Sequence, residues 1–117
     1  MFIRKASAVI LFLGLVLNAG IVFAHPAKDT LLSFDNKTAT LNVSILHDSR
    51  DNKKHFIDDI DVSVNGKVVI KQSFKSQADN KKQDVSYVLI DVKPGDEIAV
   101  KSECNLGGIF EKKIIIK

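Results

Sequence analysis

Apolar and polar residues alternate one for one along much of the chain beyond residue 38. Ala39, Leu41, Val43 and Ile45 are separated by Thr40, Asn42 and Ser44, and Ile60, Val62 and Val64 by Asp61 and Ser63. A period of two places alternate side chains on opposite faces, so each run predicts a strand with one face toward a core and the other toward solvent. Asn65-Gly66 follows the second run at once. That dipeptide readily takes the two positive φ angles of a tight hairpin, and it predicts a return strand from Lys67 to Phe74. Val85, Tyr87 and Leu89 mark a further run, and Lys93-Pro94-Gly95-Asp96 turns it into Ile98, Val100 and Ser102, which lead directly to Cys104. Ile109 to Ile116 supplies the last strand, and Thr30 to Phe34, bounded by Asp35-Asn36-Lys37, the first. No segment of this region has a helical period. The expected fold is all-β, about seven antiparallel strands arranged as an immunoglobulin-like sandwich.

Strand order gives direction. Successive strands of such a sandwich mostly run antiparallel, so each turn lies at the opposite end from the one before it. The Asp35, Asn65-Gly66 and Pro94-Gly95 turns fall at one end. The start of the first strand, the loop His47 to His55, the loop Gln77 to Lys82 and the loop opened by Cys104 fall at the other. All three histidines of the chain, His25, His47 and His55, therefore share one end with its single cysteine. Asp58, Asp59 and Asp61 read as an outward strand edge, with alternation placing two of them on the solvent face.

The first residues have a different character. Arg4 and Lys5 precede an apolar run from Ala8 to Leu17, and Asn18 to Gly20 lead to Val22-Phe23-Ala24, the pattern of a secretory signal cleaved after Ala24. Residues 1–24 are expected to be the signal peptide and 25–117 a single exported domain, periplasmic or extracellular, with no stable membrane anchor after cleavage. Removing 24 of 117 residues leaves 93, enough for one small core. Loss of Arg4 and Lys5 takes 17 basic residues to 15, against 14 acidic ones. A nearly neutral chain with scattered Lys53-Lys54, Lys81-Lys82 and Lys112-Lys113 doublets has no basic stripe for nucleic acid.

An unpaired thiol in an oxidising compartment is a liability unless it is buried or ligated. Imidazole and thiolate bind late first-row metals best among side chains, and the chain spends its whole supply of both at one end of the scaffold. His25, His47, His55 and Cys104 are accordingly the candidate metal ligands. Such a set suits iron, tetrahedral zinc or a distorted copper centre. A metal-free use of Cys104, as a thiol carrier or interaction module in a Gly-rich loop, is the alternative. No Ser-His-Asp constellation, catalytic carboxylate pair or phosphate-binding loop is present in the sequence.

The segments "HP" at residue 25, "HDSRDNKKHFIDDIDV" from His47 and "CNLGGIF" from Cys104 together resemble the iron-binding domain of the superoxide reductase, or desulfoferrodoxin (neelaredoxin-type), family across His25 to Lys117. The resemblance implies an immunoglobulin-like sandwich with a mononuclear non-haem iron held by histidines and one cysteine. It further implies one-electron reduction of superoxide, with electrons from a donor the sequence does not identify. His25, His47, His55-Phe56-Ile57 and Cys104-Asn105 match the pattern in order, Gly108 matches its glycine, and Phe110 stands at its tryptophan. Gly107 stands where the family has a fifth ligand, a histidine, and Phe23-Ala24 stand where many members have Glu-Lys. Cleavage after Ala24 would make His25 the first residue, with a free α-amine beside its imidazole.

Overall fold

A computed structural model describes residues 24–117. Of the segment expected to be the signal peptide, all but Ala24 lies outside these residues. The strands are β1 (Asp29–Asp35), β2 (Thr40–Leu46), β3 (Ile57–Val64), β4 (Lys67–Ser73), β5 (Lys82–Val88), β6 (Glu97–Cys104) and β7 (Ile109–Ile115). They form two antiparallel sheets of order β1-β2-β5 and β4-β3-β6-β7. The all-β class and the seven antiparallel strands expected from alternation are present. The fourth strand pairs with the third, whereas a constant-type immunoglobulin domain puts it in the sheet of the first, second and fifth.

Alternation decides what faces the space between the sheets. Leu41, Val43 and Ile45 of β2, Ile60 and Val62 of β3, and Ile98 and Val100 of β6 are buried and form one core. The inward series of β2 continues past the strand to His47, and that of β6 through Ser102 to Cys104. Both side chains therefore enter the same end of the core. β4 is an edge strand with only Ile70 half-buried, and Lys67 and Lys71 sit along it, which discourages pairing with another chain.

Several expected strand limits are corrected. Ala39 is a turn residue with φ of +52°, and its carbonyl accepts the N–H of Leu89 at 2.8 Å, just beyond β5. Period two does not distinguish such a flanking residue from a strand residue. Phe74 and Ile116 likewise fall one position beyond β4 and β7. Register shifts between Ile57 and Asp59 and between Val62 and Ser63 interrupt the ladders of β3. At the first shift Asp58 is turned partly inward, and its Oδ1 is buried with no hydrogen-bond partner among the described residues. Of the three aspartates only Asp59 is exposed, whereas Asp61 is half-buried and pairs with Lys71 at 3.4 Å.

The ends of the sandwich sort as strand direction required. Asn65 donates to Asp96 Oδ1 at 3.0 Å and Gly95 N–H to the Ile116 carbonyl at 2.8 Å, so these turns share one end. At the other end, His47 N–H donates to the Lys81 carbonyl and Asn105 N–H to that of Phe56, both at 2.9 Å.

Candidate metal centre

Three separate segments carry the histidines to one point. His25 lies on the irregular segment that leads into β1, His47 directly follows β2, and His55 lies two residues before β3. Their ring centroids are 4.6 Å apart for His25–His47, 4.6 Å for His25–His55 and 4.8 Å for His47–His55. One donor atom from each lies within 4.8 Å of the other two. Nitrogens bound to one ion at about 2.0–2.1 Å lie roughly 3–4 Å apart, so the trio must close by only about 1 Å.

The buried imidazole of His47 has a defined tautomer. Gln77, itself 2% exposed, donates its amide N–H to the carbonyls of His47 at 2.8 Å and Asp79 at 2.9 Å. This fixes its Oε1 as the acceptor facing His47 Nδ1 at 2.8 Å, with the Ile57 N–H also donating to it at 3.2 Å. Nδ1 therefore carries the proton, and Nε2 is left with a lone pair. That lone pair faces the carbonyl oxygen of His25, 3.3 Å away. Two acceptors so placed are satisfied by a cation between them, and an amide oxygen on the far ring nitrogen is the usual arrangement behind a metal-binding histidine.

His55 presents a second such atom. Its Nε2 is buried without a hydrogen-bond partner among the described residues, an unusual state for a buried polar atom and one that ligation would relieve. The ring is positioned by a tight turn in which the Asp51 carbonyl accepts the N–H of Lys54 and His55 at 3.0 and 2.9 Å. Ser49 Oγ donates to the His55 carbonyl at 2.6 Å. Asn105 holds the following residues through its side chain, accepting from Phe56 N–H at 2.9 Å and donating to the Lys54 carbonyl at 2.9 Å.

Electrostatics favour the metal-binding form of both rings. Burial pushes His47 below the ordinary histidine value of 6.5, against the opposing effect of its bond to Gln77. His55 is also lowered, first by burial and then by the neighbouring His47 and His25. Neutral imidazoles keep a lone pair available, and a cation replaces their mutual repulsion with a shared partner. The trio opens to solvent through a cleft whose rim carries Asp48, Asp51, Arg50 and Lys81, with His25 and His55 on its wall.

Cys104 arrives at the same end but its sulfur is not part of the trio. It is 1% exposed and packed in the core, and its Sγ lies 3.9 Å from Asn105 Oδ1. The turn after it, through Gly107 (φ +111°) and Gly108 (φ +101°), carries the N-terminal segment on its surface. A Cβ at Gly108 would lie 2.6 Å from Pro26 N and 2.9 Å from the His25 carbonyl carbon. Only glycine permits this approach, which holds His25 over the other two histidines. No family model matches the chain, and no curated protein matches it either.

Gln77 and the bracing role of Asn105 were not visible in the sequence. Strand direction puts the loop Gln77 to Lys82 at the histidine end, where it lies, but nothing in a polar loop distinguishes a buried amide from a solvated one.

Proposed function

We propose that the protein is an exported, single-domain metalloprotein in which His25, His47 and His55 hold one mononuclear metal, with Cys104 as the further donor. The observation that carries this reading is the convergence of three imidazoles, one fixed by Gln77 with Nε2 unprotonated and one with a buried nitrogen that has no partner among the described residues. Iron is the metal favoured by the resemblance to superoxide reductases, and superoxide the corresponding small oxidant. When bound, such a metal supplies one-electron exchange; the chain's own residues orient the rings, keep them neutral and leave one side open to the cleft.

A copper or zinc protein without superoxide turnover is the second reading. It is favoured by the position of the Cys104 sulfur outside the trio, since three imidazoles alone suit zinc or copper with an open position. The thiol-carrier alternative is disfavoured by the burial of Cys104, which leaves no approach for a partner's sulfur. Metal analysis and visible absorption of protein purified from its native compartment separate these readings. Stoichiometric iron with a sulfur-to-metal band that disappears in Cys104→Ser supports the first. Stoichiometric zinc or copper supports the second. Protein without stoichiometric metal that also fails to bind added iron, copper or zinc overturns both.

A further inference from the structure

A Cβ built at Gly107 would lie 3.5 Å from Ala24 Cβ, an ordinary van der Waals contact that sets the residue before His25 beside this turn. The carbonyl of that residue is bonded to the backbone nitrogen of His25. The same stretch is pressed against the turn by the approach of Gly108 to Pro26 and His25, and the His25 carbonyl lies 3.3 Å from His47 Nε2. The main chain at His25 is thus part of the wall of the histidine cluster.

We infer that proteolytic removal of Ala24 completes the metal site, because it turns the backbone nitrogen of His25 into a free amine that binds the same metal as the His25 ring. The inference rests on the metal-binding reading above and deepens it by naming a further donor and the maturation step that creates it. The sequence supplies the cleavage pattern, Val22-Phe23-Ala24, and the structure supplies the reason its position matters. While Ala24 is attached, the His25 nitrogen is an amide, whose lone pair is delocalised into the carbonyl and is a poor ligand. Hydrolysis of the Ala24–His25 bond consumes one water, leaves a carboxylate on Ala24 and yields an amine. An amine and the Nδ1 of its own imidazole close a six-membered chelate ring on a metal. In the structure Nδ1 of His25 faces the carbonyl of Pro26 at 3.2 Å, a weak and exposed contact that a metal would displace. Shifting the cleavage by one residue in either direction would separate amine from imidazole or delete the ring.

The test uses the full chain, exported and processed by the cell that expresses it. Mass spectrometry gives the first residue of the processed protein, expected to be His25; any other start overturns the inference. One portion is then acylated at near-neutral pH, where an α-amine of pKa about 8 reacts ahead of lysines at about 10.4. Both portions are titrated with Co(II), whose visible absorption reports its donors and which does not readily displace backbone amide protons. Acylation is expected to weaken Co(II) binding by at least the roughly tenfold that loss of a supporting contact costs, and to change the spectrum. Equal affinity and identical spectra in the two portions overturn the inference and leave the three-imidazole site standing. Failure of both portions to bind Co(II) overturns the metal-binding reading itself, and the inference with it.

Discussion

At the scale of single residues, Gln77 is the part of the site on which the chemistry depends most. Its side chain answers two carbonyls, one backbone N–H and the Nδ1 proton of His47. Gln77→Ala strands those buried groups and is expected to cost about 1–3 kcal/mol of stability, read from chemical unfolding. Metal affinity should fall about 10–100-fold in the same variant, because His47 loses its fixed tautomer and orientation. A second expectation concerns pH. His47 and His55 have native pKa values below 6.5, so below that pH the unfolded chain binds more protons than the native one. Their contribution to stability is complete above about 6.5 and is lost as pH falls from there through the lowered native values. Metal-free protein should therefore show a falling Tm between about pH 7 and 5, and His47→Gln should flatten that fall. What the sequence revealed at this scale was which residues carry lone pairs and where the chain takes them. It could not reveal Gln77 or the unpartnered Asp58 Oδ1, because burial of a polar loop side chain depends on contacts far away in sequence, such as His47 with Gln77.

At the scale of elements, the strands were legible and their edges were not. Alternation located each strand because one face of it packs on a core, and parity then placed His47, His55 and Cys104 at one end of the sandwich. The β3 bulges, the left-handed Ala39 and the pairing of β4 with β3 were hidden, since period two records which face is apolar but not which strand lies alongside. The turn after β6 gives an element-scale prediction through the contrast of two glycines. In Gly108→Ala the new Cβ meets backbone at 2.6 Å, so the segment carrying His25 must lift away. Gly66→Ala, at the opposite end, meets nothing within 4 Å and suffers only from its φ of +83°, a cost of about 1–2 kcal/mol. Gly108→Ala is expected to weaken metal binding strongly while the far-ultraviolet β signature persists. Gly66→Ala should lower Tm and leave metal affinity unchanged. Equal affinity in the two variants would detach the Gly108 turn from the site.

At the scale of the whole molecule, the metal would join three segments that the sheets alone leave separate: the lead-in to β1, the loop between β2 and β3 from both its ends, and behind them the Gln77 loop. Surface ion pairs such as Lys28–Asp48 at 2.6 Å contribute little, being exposed. Ligation should contribute more, about 2.7 kcal/mol at a free metal concentration one hundred times Kd, so a chelator should lower Tm in the wild type and much less in His55→Ala. The most direct measurement is a Zn(II) titration followed by the ring nitrogen resonances of the histidines, of which the chain has only three. All three rings are expected to change together, with His47 keeping its Nδ1 proton and coordinating through Nε2, and to stop changing at one equivalent. Rings that do not respond, or a response confined to one or two of them, would contradict a shared metal centre.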